Sequence, residues 1–380
     1  MNENSKSVYK SLRDSLNPDT SLTLTEYGSD GTLTFDIICE LGDGGNVIAY
    51  KVRYAGADTD RYMYILKEVY PLPLKQSVML RRGGKTGLNL ETDRYNAGYY
   101  RSCCSFFEAS YRIQNEISDG NDVLPMGLYE DRNSGKNGTY ALYGLFRYSA
   151  SETLDRYRER SMYELIDIQR KIAEIVGNYH ERGYLWLDIR EKNVIVTGAG
   201  KINKVSMYDF GSIVPADVLS GYRYNENSPD FQPSFLCKSD EILLPSELEC
   251  LLRYPENNRS DKSFVPADPL NIAQNINAIG LYGKSTDIFI LGVLLFRRLF
   301  GYTPDTEICK DIQRGKSGVV SSGKLKVCPD RIRKVIYGIL KKTLAYDNIE
   351  MRYENVSELI EAYSEVSQMI GRGKVSRDFR

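Results

Sequence analysis

The sequence predicts an α+β fold, with a small lobe built on an antiparallel β-sheet followed by a larger, mainly helical lobe. Three observations predict it. Between Thr32 and Val69, three successive runs are rich in β-branched and aromatic residues and in period-two alternation. Beyond residue 151 the apolar residues recur at helical spacing, as in Leu165, Ile168, Ile172, Ile175, Val176 and Tyr179. Strands come first and helices afterwards, which segregates them instead of interleaving them in a parallel sheet.

Taken in order, residues 1–30 are polar and read as an extension before the first domain. The three strand runs are Thr32 to Ile37, Val47 to Tyr54 and Tyr62 to Val69, with a turn at Ala55-Gly56-Ala57-Asp58. Residues 75–90 are basic and glycine-rich, hence a loop; a helix follows from Glu91 to Ile117, and Gly138 to Tyr148 returns to β. Glu152–Arg158 and Met162–Gly183 read as helical. Val194 to Val196 and Val205 to Tyr208 flank a Gly198-Ala199-Gly200 turn as a hairpin. Residues 212–270 are irregular and rich in Ser, Pro, Asn and Asp, a length usually tied to function or disorder. Apolar helices are expected at about 285–300, 330–344 and 355–370, before a basic tail. The expected domains are an extension 1–30, a first lobe 31–150, a second lobe 151–370 and a tail 371–380.

Composition removes several function classes. The 380 residues carry 50 basic and 51 acidic side chains, so no global charge pulls the chain toward nucleic acid or an anionic membrane. His180 is the sole histidine, which excludes a multi-histidine metal site and ties any Ser-His or Cys-His chemistry to one ring. Seven cysteines with no Cys-x-x-Cys pair suggest reduced thiols and a cytoplasmic location. The N-terminus has no apolar core, so no secretory signal is read there. The apolar run Ile288 to Phe296 is far shorter than the ~20 residues of a membrane span. What remains is chemistry by carboxylates, lysine, backbone amides and a hard cation.

Three groups of residues fit that description. Leu41-Gly42-Asp43-Gly44-Gly45-Asn46 joins two strands; it is either a hairpin turn or a backbone cradle for phosphates. It is not a P-loop, and the three Gly-Lys-Ser/Thr triplets elsewhere lack the required earlier glycine, having Met79, Ala278 and Lys310 there. Lys67 lies within an apolar strand, where its ammonium either snorkels to the surface or meets an anion. Asp188 and Asn193 lie five residues apart between an amphipathic helix and a hairpin, and Asp209-Phe210-Gly211 follows that hairpin. Their oxygens are hard ligands suited to Mg²⁺ and its phosphate partners.

In this order and spacing the sequence resembles the eukaryotic-type protein kinase family over most of residues 32–370. The resemblance implies a bilobal kinase-like fold around one nucleotide cleft, with ATP and Mg²⁺ as cofactors. Gly42, Gly44 and Gly45 would cover the phosphates and Lys67 would hold them. Phe146 to Ser149, with Phe146 and Tyr148 at the adenine, would form the hinge. Asp188 falls on the catalytic base, Arg190 on the neighbouring cation, and Asn193 and Asp209 on the metal ligands. Glu108 is the chosen helix carboxylate for Lys67, with Glu91 and Glu116 as alternatives. Thr286 to Phe296 resembles the buried helix that anchors the catalytic loop through Asp287, and Arg352 the late structural arginine. Pro245-Ser246-Glu247 stands where the activation segment ends. The departures are Val47 for the third glycine, Ala49 for a valine, and Trp186-Leu187 before the base where the family has His-Arg.

The expected function is therefore an ATP- and Mg²⁺-dependent protein kinase acting on a protein hydroxyl, with serine or threonine preferred. A pseudokinase or nucleotide-binding scaffold and a small-molecule phosphotransferase are the alternatives. The expected partners are ATP and a protein substrate, with regulation assigned to a partner protein or to residues 1–30 and no role for nucleic acid or a membrane span.

Overall fold

A computed structural model describes residues 13–43, 47–56, 62–71, 82–83, 87–88, 94–117, 125–133, 140–149, 151–198, 204–209, 213–216, 243, 245–246, 283–316 and 323–372. These fall into two compact units that meet in sequence at residues 150 and 151.

The first unit contains strands β1 (Ser21–Glu26), β2 (Thr32–Asp43), β3 (Val47–Tyr54) and β4 (Tyr64–Val69), and the short pair β5 (Arg82–Gly83) and β6 (Gly87–Leu88). Helix α1 (Arg94–Ile117) and strands β7 (Pro125–Asp131) and β8 (Ala141–Arg147) complete it. The expected small antiparallel sheet is a closed antiparallel barrel in the order β1-β2-β3-β4-β8-β7. The closing strand comes from residues read as a polar extension. Ser-Leu-Thr-Leu-Thr-Glu buries Leu22 and Leu24 and leaves Ser21 and Thr23 exposed, and β1 pairs with both β2 and β7. Closure removes two sheet edges that would otherwise present unpaired N–H and C=O groups. The chain before β1 also packs on this unit: the buried Arg13 donates to the Tyr70 carbonyl at 2.6 Å, and the Leu16 amide donates to the Tyr50 hydroxyl at 3.1 Å.

Strand parity decides which β4 side chain enters the barrel. Leu66 and Glu68 point inward among Ile48, Tyr50, Val52, Tyr143 and Leu145, whereas Lys67 takes the other face. The fully buried Glu68 carboxylate accepts from the Tyr50 hydroxyl at 3.0 Å and the Tyr143 hydroxyl at 2.8 Å. Outside the barrel, α1 packs against β7 and β4, and its Phe107 ring reaches β8, where a Cβ on Gly144 would sit 2.7 Å from it. Gly144 lets the helix approach that closely.

The second unit holds β9 (Glu152–Thr153), α2 (Met162–Glu181), β10 (Tyr184–Leu185), a 3₁₀ turn at Glu191–Asn193, β11 (Val194–Thr197), β12 (Lys204–Met207) and β13 (Val214–Pro215). Helices α3 (Lys284–Phe300), α4 (Thr306–Gln313), α5 (Asp330–Thr343) and α6 (Val356–Arg372) follow. The expected helix at Glu152–Arg158 is not formed. Glu152 and Thr153 pair with β11, and the amides of Arg156 and Tyr157 fold back on the Thr153 carbonyl. Ser161 caps α2 through its hydroxyl, accepting from the Glu164 amide at 3.2 Å. Helix α3 is apolar nearly all round and buried, and Gly292 lets α5 approach it at Thr343. Most of 212–270 and the tail beyond Arg372 lie outside the described residues.

Strand β1 is expected to be structural, so Leu24→Ala should lower unfolding stability by ~2–5 kcal/mol, as for other buried leucines. An unchanged denaturation midpoint would exclude β1 from the cooperative barrel.

Candidate active site

The site in the second unit is assembled from the end of α2 onward. Gly183, at φ 79°, reverses the chain after the helix, and Tyr184–Leu185 pairs with Val214–Pro215. The amides of Trp186 and Leu187 then donate to the two oxygens of Asp287, each at 2.7 Å. His180 Nε2 lies 2.8 Å from Asp287 Oδ2. Asp287 sits in the first turn of α3, where the helix dipole favours an anion, and it is fully buried. Leu187 takes a left-handed φ of 62°, a conformation that costs ~1–2 kcal/mol outside glycine and that Asp287 holds in place.

The next residue is Asp188, which is 2% exposed. Its Oδ2 accepts from Arg190 Nη2 at 2.6 Å and from Asn193 Nδ2 at 2.9 Å, while Asn193 Nδ2 also reaches the Asp188 carbonyl at 3.0 Å. Its Oδ1 is buried and has no hydrogen-bond partner among the described residues. Burial pushes the Asp188 carboxyl above its ordinary value, opposed by the Arg190 guanidinium, and the Asp209 charge pushes it further up. Asp209 is thus electrostatically coupled to Asp188, on a backbone with φ 71°. Asn193 spends its amide nitrogen on Asp188, which leaves its amide oxygen to face elsewhere. One amide oxygen and two carboxylates are hard donors that fit Mg²⁺ in the presence of phosphate oxygens. Among the described residues no three carboxylate, thiol or imidazole groups converge as a self-sufficient metal cage.

A second clamp holds the turn between Asp188 and Asn193. Glu191 accepts from Arg297 Nη2 and Arg298 Nη1, both at 3.1 Å. Arg298 is 7% exposed and also donates to Glu159 at 2.6 Å and to the Tyr157 carbonyl at 2.7 Å. Lys324 completes the cluster by donating to Glu159 at 2.8 Å. Burial alone would raise the Glu159 carboxyl, yet Arg298 and Lys324 hold it below its ordinary 4.5. Farther from the site, Arg352 donates to the carbonyls of Ala345, Ser285 and Tyr346 and stacks 4.9 Å from the Phe289 ring centroid.

The candidate residues of the first unit do not all come together. Lys67 lies between Ala49 and Gly144 on the outer barrel face, its ammonium 5.4 Å from the Phe146 ring centroid. Phe146 in turn meets Tyr111 of α1 edge-on at 6.0 Å. Glu108 is not joined to Lys67. Its two oxygens accept from Tyr27 at 3.0 Å and from Arg112 at 2.5 Å. The reason is the barrel's closure: the turn after β1 brings Tyr27 beside α1. Gly42 pairs with Ala49, whereas Gly44 and Gly45 lie outside the described residues, as does Glu91. Tyr148 stacks under the Lys51 ammonium at 4.7 Å.

Sequence reasoning missed Glu68 and the Glu159–Arg298–Glu191 cluster. Strand parity in Tyr-Ile-Leu-Lys-Glu-Val carried the first signal, since Leu66 and Glu68 must share a face. The second had only a weak signal, two arginines closing an otherwise apolar helix.

No protein-family model matches the chain. Over 159 residues it is 26% identical to MAP kinase-interacting serine/threonine-protein kinase 2 of Xenopus laevis, a stretch covering 41% of this chain and 28% of that relative. The chain resembles the eukaryotic-type protein kinases. Among solved structures, the kinase domain of Mycobacterium tuberculosis PknI aligns over 93% of this chain and 100% of that chain, at 14% identity and a TM-score of 0.46. A double mutant of the same domain aligns over the same shares at 14% identity and a TM-score of 0.48. No helix among the described residues of this kinase-like chain is long and apolar enough to cross a membrane.

Truncation by Arg298→Ala should leave Glu159 buried without its main partner and cost ~3–5 kcal/mol in denaturant unfolding. A loss within ±0.5 kcal/mol, the range of an ordinary surface change, would contradict the buried clamp. Because the Glu159 carboxyl is lowered on folding, its contribution to stability is present above pH 4.5 and is lost as pH falls through the folded-state value. A Glu159→Gln variant should therefore show a shallower fall in thermal midpoint on acidification below that pH than the parent chain does.

Proposed function

We propose that this chain is an ATP- and Mg²⁺-dependent protein kinase that transfers the γ-phosphoryl group to a protein hydroxyl, with serine or threonine preferred. The observation that carries this reading is Asp188: a buried carboxylate with one oxygen fixed by Arg190 and Asn193 and the other unpaired among the described residues. That is the arrangement of a base awaiting a donor hydroxyl. The partial likeness to a serine/threonine kinase supports the same reading.

In this mechanism Asp188 Oδ1 accepts the hydroxyl proton and aims the oxygen. The new O–P bond forms at the γ-phosphorus as its bond to the β,γ-bridging oxygen breaks. Arg190 fixes Asp188 and offers positive charge beside the transferring group. Lys67 binds the phosphates, and Gly42 with Gly44 and Gly45 covers them. Asn193 and Asp209 would hold Mg²⁺, which would supply neutralisation of the phosphate charge. Phe146 and Tyr148 contribute to the adenine site. The bilobal kinase fold and a cytoplasmic location belong to the same proposal.

A second reading, a nucleotide-binding scaffold without transfer, draws on Glu108. With its carboxylate engaged by Tyr27 and Arg112, it does not brace Lys67. Purified chain with Mg²⁺ and γ-labelled ATP separates the two. Transfer to itself or to a generic protein substrate is expected, and Asp188→Ala should lower it by ~10²–10⁴-fold. Nucleotide-induced thermal stabilisation with no labelled product would favour the scaffold, and label on small metabolites alone would favour a small-molecule phosphotransferase.

A further inference from the structure

Two neighbouring helices of the second unit carry opposite charges on their solvent faces. Helix α5 displays Arg331, Lys334, Lys341 and Lys342 at helical spacing, exposed except for the half-buried Lys341. Its one acid, Asp330, is already paired with Arg333. On the other helix, Glu354 just before α6 and Glu358, Glu361 and Glu365 within it recur at intervals of four, three and four, and α6 has no cation before its last residue. None of these eight charged side chains makes an ion pair among the described residues. Like charges one turn apart on a helix repel, so each stripe is stabilised when an opposite stripe covers it. The two stripes come together at Tyr353. The Lys342 ammonium lies 4.6 Å from its ring centroid, while burial and then the charges of Glu358 and Glu365 push its hydroxyl up. The exposed Met351 sits on the turn between the helices.

We infer that the face formed by α5, the Ile349–Met351 turn and α6 docks a second copy of this chain, the cationic stripe of each copy lying on the acidic stripe of the other. Charge complementarity selects this occupant. A two-fold axis near Tyr353 turns α5 of one protomer onto α6 of its partner and repeats the same contact on the other side. Each stripe then meets its opposite, and none is left against its like. A polyanion such as a lipid surface would satisfy α5 and set its own charge against the glutamates of α6. A basic partner has the reverse defect. With Met351 as the exposed apolar residue of the turn and charge around it, the face suits a reversible, salt-sensitive dimer in place of an obligate one. The inference is independent of the kinase reading.

Sedimentation velocity on the full chain, across a micromolar concentration series, reads the assembly directly. A monomer–dimer equilibrium is expected, with a Kd that rises about tenfold or more between about 0.05 M and 0.5 M salt, because screening acts on exposed pairs. One double variant, Arg331→Glu with Lys334→Glu, makes both stripes acidic; another, Glu361→Lys with Glu365→Lys, makes both basic. Each alone should be monomeric at concentrations where the parent chain dimerises, with an unchanged thermal midpoint, since the altered side chains are exposed. Their equimolar mixture should dimerise again, because the reversed α5 of one meets the reversed α6 of the other on both sides of the axis. That rescue separates a docking face from a folding defect. A parent chain that stays monomeric throughout overturns the inference, as does a dimer that survives in either variant or a mixture that stays monomeric. A monomeric parent chain that binds phosphatidylserine vesicles, and loses that binding with Arg331→Glu and Lys334→Glu, would overturn it in favour of a lipid surface for α5.

Discussion

The site of the second unit depends on one buried carboxylate. Asp287 has no exposure to water, and an ion in that position is tolerated only when donors surround it. The donors are two consecutive loop amides and the ring of the chain's sole histidine. This mutual satisfaction fixes the backbone of Trp186 and Leu187, including the left-handed turn at Leu187, and that turn delivers Asp188 into its pocket. Helix α3 must be apolar almost all round for this to work, because only a helix sunk in the core can carry such an anchor.

Two further constraints sharpen the loop. On one side, Arg190 and Asn193 both donate to Asp188, so its carboxylate has one oxygen committed and the other without a hydrogen-bond partner among the described residues. On the other, Glu191 is held by Arg297 and Arg298, which fastens the opposite face of the same short turn to the end of α3. Buried ion pairs of this kind contribute little net stability against a well-packed apolar alternative. Their effect here is geometric, since each charge must find its partner and few loop conformations allow that. Trp186 fits the same scheme as a wholly buried ring packed edge-on against Tyr179 at 4.8 Å.

The first unit departs most from what local pattern suggests. Lys67 attracts attention in sequence as a charge within an apolar strand, yet it takes the outer face while its neighbour Glu68 is enclosed by two tyrosine hydroxyls. Alternation of the strand implies that result, but only once the inner face is known. The leucines of β1 have the same history. Their alternation is visible in six residues, whereas the pairing of β1 with both β2 and β7, which turns a sheet into a barrel, is a long-range contact. That closure then brings Tyr27 onto Glu108 and takes the helix carboxylate expected for Lys67.

Local chemistry in the chain was enough to specify the α+β class, the helices α1, α2, α3, α5 and α6 to within a few residues, and the candidates Asp188, Asn193 and Asp209. Hydrophobic periodicity and fixed short spacings are properties of contiguous residues, so they survive without a structure. Tertiary packing alone decided the barrel's closure, the partners of Glu108, the burial of Glu68 and the clamp joining Glu159 and Glu191 through Arg298, residues up to 139 positions apart. Such choices depend on which distant donor reaches a buried acceptor first, and nothing in the neighbouring sequence records that competition.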